Sequence, residues 1–174
     1  MIKSVSGKTP KIAKSAWVSE SAYVVGDVEI GENSSVWPGT VIRGDINSIK
    51  IGNNTIIEDN CVIHSGSPFN PHANAIIGDK VLIGHGAVVN CRRIGNNVLI
   101  GMNATLLHGA EIGNFCVIAA GCVVMAGMKI PDRSFVAGVP GGIQGEASPK
   151  QLHWTKKGPE TYGALANQYK EQGL

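Results

Sequence analysis

An aliphatic residue returns every six positions along most of the chain, often followed by Gly. Between residues 94 and 136 the hits are Ile94, Ile100, Leu106, Ile112, Ile118, Val124, Ile130 and Val136. Ile12, Val18, Val24, Ile30, Val36 and Ile42 keep the same beat earlier, and Ile51, Ile57, Ile63 and Ile77, Ile83, Val89 resume it in between. A helix of 3.6 residues per turn would carry successive hits off one face, and strand alternation would place them at every second residue. A period of six instead describes a short strand, a turn and another short strand, repeated. Each hexad supplies one flat side of a triangular coil, so three hexads make one turn of a parallel β-helix. Coils stack at the strand spacing of about 4.8 Å, with the periodic aliphatics pointing inward.

The corners carry Gly31-Glu32-Asn33, Gly52-Asn53-Asn54, Gly95-Asn96-Asn97 and Gly113-Asn114, residues that tolerate unusual backbone angles. This role accounts for 23 Gly without disorder. Hexapeptide repeats of this kind resemble the left-handed β-helix family, and the handedness is taken from that resemblance. The expected fold is an all-β solenoid, a left-handed parallel β-helix over residues 1–147. A C-terminal helical segment over residues 148–174 would pack against it. In that segment Ser148-Pro149 reads as a helix cap and Gly158-Pro159 as a split between a short helix and a longer one.

With 174 residues and 43% apolar content, the chain suits one narrow-cored domain plus a tail. A net charge of +2 with 16% charged residues leaves no basic block, so nucleic-acid binding is not expected. The opening residues lack an apolar run and no later segment approaches a membrane span, so a cytoplasmic protein without membrane contact is expected. Cys61, Cys91, Cys116 and Cys122 show no CxxC pairing and sit among aliphatics, as structural thiols do.

Three interruptions break the beat: around Arg43-Gly44-Asp45, across the Pro-, Gly- and Asn-rich stretch from His64 to Asn74, and between Val89 and Ile94, which is one residue short. Solenoids carry function at insertions and on exposed faces. His64 follows the inward Ile63 and should point outward, and Asn90 holds the same phase after Val89. His85 falls near a corner. On one subunit these groups line an open face, which argues for a homo-oligomer with sites between subunits.

Arg43-Gly44-Asp45, the run Glu58 to His64, Ile83-Gly84-His85, Ile100-Gly101-Met102-Asn103 and Gly138-Val139-Pro140 together resemble the gamma-class carbonic anhydrase family over about residues 10 to 170. Asp59-Asn60-Cys61-Val62 with His64, Gly101-Met102-Asn103-Ala104, and Leu152-His153-Trp154 leading to Tyr162 are most similar to its bacterial branch linked to phenylacetate and carnitine metabolism. The resemblance implies a homotrimer with a divalent metal, usually zinc, at each subunit interface. It implies His64 as first ligand, His85 as the ligand from the neighbouring subunit, and a third ligand at position 90. There the chain carries Asn90, a neutral hard donor that binds zinc more weakly than imidazole. The same resemblance gives Glu58 the place of a water-orienting residue, matches Asp59, and makes Arg43 and Asp45 an interface pair. The acidic proton-shuttle loop of some members is missing between His64 and Asp79.

Three functions follow. One is metal-dependent hydration of CO2 to bicarbonate, or hydrolysis of a small thioester, weakened or lost through Asn90. Another is a non-catalytic trimeric scaffold. A third is a hexapeptide-repeat acyltransferase using His72 or His108 as base; those two histidines could also complete the metal site. Cys91 should face the core, and His153 the solvent.

Overall fold

A computed structural model of the chain describes residues 1–66 and 74–173. The chain winds as a left-handed parallel β-helix of about seven turns with one C-terminal helix. Trp17 pairs with Ser35, Tyr23 with Val41 and Glu111 with Lys129, each pair 18 residues apart and parallel. Every break in the beat appears as a change in that separation. Val41 pairs with Val62 and Ser35 with Ile56, 21 residues apart; Ile56 pairs with Leu82, 26 apart, and Leu82 with Leu99, 17 apart.

The first insertion lengthens a strand instead of forming a loop. Val41–Ile51 is continuous and bends round a corner beside Tyr23–Ile30, with the register shifting between Gly26 and Val28. Gly26 has φ +85°, and a Cβ there would meet the Gly44 carbonyl oxygen at 2.3 Å, so both strands need glycine where they cross the corner.

Inside, Ile42, Ile57, Ile63, Ile83, Ile100, Leu106 and Ile118 form a column without solvent exposure. All four cysteines are free and buried, adding small apolar volume to the same core. Corner residues adopt left-handed backbone as expected at Asn33, Asn54 and Asn97, and also at Asn60, Lys80, Asn103, Phe115 and Arg133. One corner is tied by a side-chain ladder. Asn53, Asp79, Asn96, Asn114 and Asp132 each place Oδ1 on a backbone N–H of the preceding coil, at 2.7 to 2.9 Å. The Asp132 carboxyl is held below its ordinary range by accepting from the Asn114 backbone and side chain.

The outward residues give the three faces different characters. On the first face Tyr23, Val41, Val62, Val88, Thr105 and Val123 stack in register, without a charge. On the second, Lys11, Glu29, Lys50, Ile76, Arg93, Glu111 and Lys129 alternate in sign around a single Ile. On the third, Trp17, Ser35, Ile56, Leu82, Leu99, Val117 and Phe135 form a largely apolar column. The helix His153–Glu171 lies on that third face, where Trp17, Trp37, Tyr162 and Tyr169 make edge-to-face contacts at 5.0 to 5.6 Å.

Two expectations for the C-terminal segment are corrected. Gly158-Pro159 does not split the helix, which runs unbroken through both. Gly158 is buried against Leu82, and a Cβ would come within 2.6 Å of Leu82 Cδ2, so close packing holds the helix across the lost Pro159 N–H. Ser148 does not cap the α-helix. Its backbone N–H and hydroxyl donate to Gln151 Oε1, and its Oγ accepts from the Gln151 N–H, closing a turn one step before Leu152, the residue at the helix start. Beyond Ser134–Ala137 the chain turns back as the antiparallel strand Gly142–Glu146, which pairs the last edge of the third face. Among the described residues no helix is long and apolar enough to cross a membrane.

Candidate metal centre

His64 ends the strand Val62–His64, whose Ile63 points fully inward, so alternation turns the imidazole outward. Arg43 is its neighbour on the preceding coil. On the following coil Val88 pairs with Val62 and Val89 with Ile63, so Asn90 follows Val89 as His64 follows Ile63. The Asn90 N–H donates to the Leu106 carbonyl at 2.9 Å and continues the ladder. Arg43, His64 and Asn90 thus occupy one outward row beside the uncharged column of the first face.

The His64 side chain is 17% exposed, and its Nε2 lies 3.2 Å from Asp45 Oδ1. Arg43 Nη1 donates to Asp45 Oδ2 at 2.6 Å. Partial burial alone would raise the Asp45 carboxyl. The hydrogen bond and charge of Arg43, with help from its own backbone N–H and His64, outweigh that effect and hold it below the usual carboxylate range. Arg43 and Asp45 therefore pair with each other inside one protomer, because residues i and i+2 of one strand share a face. Asp45 thereby fixes the direction of the His64 ring.

His85 stands at the corner between the third and first faces, one coil above Asp59: Ile57 pairs with Ile83, and the Gly86 N–H donates to the Asp59 carbonyl at 2.9 Å. Its ring is held on both sides, Nδ1 at 2.9 Å from Asp59 Oδ2 and Nε2 at 3.1 Å from Glu58 Oε2. Glu58 is only 5% exposed and also accepts the His85 backbone N–H at 3.1 Å. A neutral imidazole carries one N–H, so satisfying both ring contacts takes a second proton within this trio. Tyr162 reaches in from the helix and donates its hydroxyl to Glu58. That hydrogen bond, with burial and the negative charge of Glu58 and Asp59 behind it, pushes the phenol up to about 12. Beside this trio a cavity of about 340 Å³ opens between the helix and the third face.

The seven site residues expected from the sequence thus fall into two clusters on one chain: Arg43, Asp45, His64 and Asn90 on the first face, and Glu58, Asp59 and His85 at the corner. Among the described residues no group of three His, Cys, Asp or Glu could hold a metal ion. Cys91 faces the core as expected, and burial pushes its thiol up to about 12, so it does not substitute for Asn90. His108 is exposed in a turn, His153 is exposed beside Trp154, and His72 lies outside the described residues. Sequence reasoning missed two partners. Asp45 as the orienter of His64 follows from the lengthened coil that sets Arg43 beside His64, whereas Tyr162 as a partner of Glu58 depends on how the helix folds back.

A solenoid of hexads with its polar groups on the outside belongs to the hexapeptide-repeat class, and the family described as bacterial transferase hexapeptide (six repeats) matches residues 9–44 and 93–126. A protein described as a probable carbonic anhydrase in Methanocaldococcus jannaschii is 44% identical over 155 residues, covering 89% of this chain and 95% of that one. The carnitine operon protein CaiE of Escherichia coli is 31% identical over 159 residues, covering 91% and 79%. Gamma carbonic anhydrase 2, mitochondrial, of Arabidopsis thaliana is 33% identical over 171 residues, covering 95% of this chain, which spans only 60% of the plant protein's length. A solved hexapeptide transferase family protein from Anaplasma phagocytophilum superposes with a TM-score of 0.89 at 31% identity, covering 97% of each chain. The chain belongs to the gamma carbonic anhydrase-like family of hexapeptide-repeat proteins.

Proposed function

We propose that three copies of the chain associate through their first faces and that His64 and Asn90 of one copy, with His85 of the next, hold a divalent metal for the hydration of CO2 to bicarbonate. The observation that carries this reading is the shared outward row of His64 and Asn90, set beside a column of uncharged side chains. The charged second face and the helix-covered third face leave the first as the one suited to bury against a copy. Relatives of the family support a metal.

The donor set fits a divalent ion, with a bias. Two imidazoles suit zinc, while the Asn90 amide oxygen is a harder and weaker donor, so zinc is held less tightly than by three imidazoles. A metal held there would supply the Lewis acidity that makes water a nucleophile at neutral pH. The chain supplies the rest. Asp45 fixes the His64 ring, and Arg43 balances the Asp45 charge. Asp59 fixes the His85 ring. Glu58, itself held by Tyr162 and the His85 N–H, orients water and accepts its proton. Four unpaired thiols fit a reducing compartment, the cytoplasm.

Mass in solution, metal content and CO2 hydration, measured on one preparation made without chelator, test the proposal. A trimer with metal and activity is expected, and a monomer would overturn it. Asn90, together with the engagement of both His85 ring nitrogens by carboxylates of its own chain, favours a second reading, the non-catalytic scaffold. A metal-free trimer that stays inactive with added zinc would select it.

A further inference from the structure

We infer that the cavity between the C-terminal helix and the third face binds a small uncharged molecule with an apolar body and one hydrogen-bond donor. At about 340 Å³ it falls at the lower end of the range of ligand pockets. Leu82, Leu99 and Val117 form its floor, while Trp154 and Met102 line it and remain 52% and 53% exposed. The helix cannot settle closer and fill it, because Gly158 already packs on Leu82. The apolar trough is therefore part of the fold.

Its inner end is polar and negative. Glu58 there accepts from the Tyr162 hydroxyl, the His85 backbone N–H and His85 Nε2. An ionised carboxylate offers about four acceptor positions, so one is left for an O–H or N–H of a ligand. Asp59 adds a second carboxylate behind His85; even with the extra proton their contacts require, Glu58, Asp59 and His85 together keep a net negative charge, which a carboxylate ligand would meet at close range. An alcohol or amide with an aromatic or branched aliphatic body satisfies both ends. Carbon dioxide has neither the body nor the donor, so this site extends beyond the reaction proposed above. It uses Glu58 and His85 but requires neither metal nor a second copy.

Calorimetric titration of the full chain with benzyl alcohol and with benzoate, before and after zinc is added, tests the inference. Saturable binding of benzyl alcohol in both preparations is expected, with benzoate at least tenfold weaker. Leu99→Phe, which fills the floor, and separately Ala120→Leu, which narrows the rim, are each expected to weaken benzyl alcohol at least tenfold; circular dichroism verifies folding, and either folded variant suffices. Absence of saturable binding, equal binding of benzoate, or unchanged affinity in a folded variant would overturn it. Because binding is read without reference to metal or turnover, failure of the hydration assay leaves this result standing.

Discussion

Glu58 Oε2 stands 3.1 Å from both the backbone nitrogen and the ring Nε2 of His85, so one buried carboxylate fixes the direction of that histidine. Tyr162 on the helix shares the same carboxylate. Through these contacts the C-terminal helix is joined to the corner that carries His85.

Replacing Glu58 by Gln removes the carboxylate whose hydrogen bond, and then whose charge, disfavour tyrosinate. The Tyr162 phenol should then fall from about 12 toward its ordinary value of 10.0, read by ultraviolet titration with Tyr162→Phe identifying the band. In the parent chain the neutral phenol is favoured by folding. Its stabilising contribution is therefore intact below about pH 10 and is lost as pH rises through about 12. A Tyr162 titration unmoved by the substitution would show that Glu58 is not its partner.

In the proposed metal site, Asn90→His would complete an all-imidazole donor set. Zinc retained after dialysis, measured by elemental analysis, should rise with at least a tenfold gain in affinity, about 1.4 kcal/mol. No gain would show that position 90 does not face the ion.

Val88 lies in the middle of the uncharged column on the first face. If the proposed trimer forms through this face, Val88→Lys should convert it to monomers in analytical ultracentrifugation, since a buried unpaired ammonium costs several kcal/mol at an interface. Lys129→Ala, on the charged second face, should leave assembly unchanged.

Asn96 Oδ1 accepts the Asp79 N–H at 2.8 Å within the corner ladder. Asn96→Ala removes the acceptor and should cost about 1 kcal/mol, whereas Asn96→Asp keeps it and should cost less. Denaturant unfolding compares the two. Equal losses would show that the ladder bond contributes nothing.

Burial pushes the Cys61 and Cys91 thiols up to about 12, so thiolate is scarce at neutral pH. At pH 8 both should resist alkylation in the folded chain and react fully once it is unfolded, followed by mass spectrometry. Rapid labelling of either in the native state would contradict the packing of the column.

Much of this architecture was readable because a solenoid is nearly one-dimensional, each coil touching only its neighbours. A residue's face and depth then follow from its phase in the hexad, which placed Ile63 inward, His64 and Asn90 outward and Cys91 in the core. The C-terminal segment obeys no such rule. Gly158-Pro159 reads locally as a break, yet packing on Leu82 carries the helix through it, and Ser148 reads as a helix cap but closes an earlier turn. The charge partners were only half visible. Asp45 follows from the length of an inserted strand, whereas nothing in the spacing of residue 162 points to Glu58.

The repeat period by itself determined the coil, the inward column and the outward row that holds His64 and Asn90, since all three depend on local geometry repeated along the chain. Only the tertiary structure decided that Asp45 holds the His64 ring, that both nitrogens of His85 are held by Glu58 and Asp59, and that the helix leaves a cavity beside them. Those relations join side chains from different coils and from a helix far along the chain. Their distances are set by how the faces pack, a quantity that no sequence spacing carries.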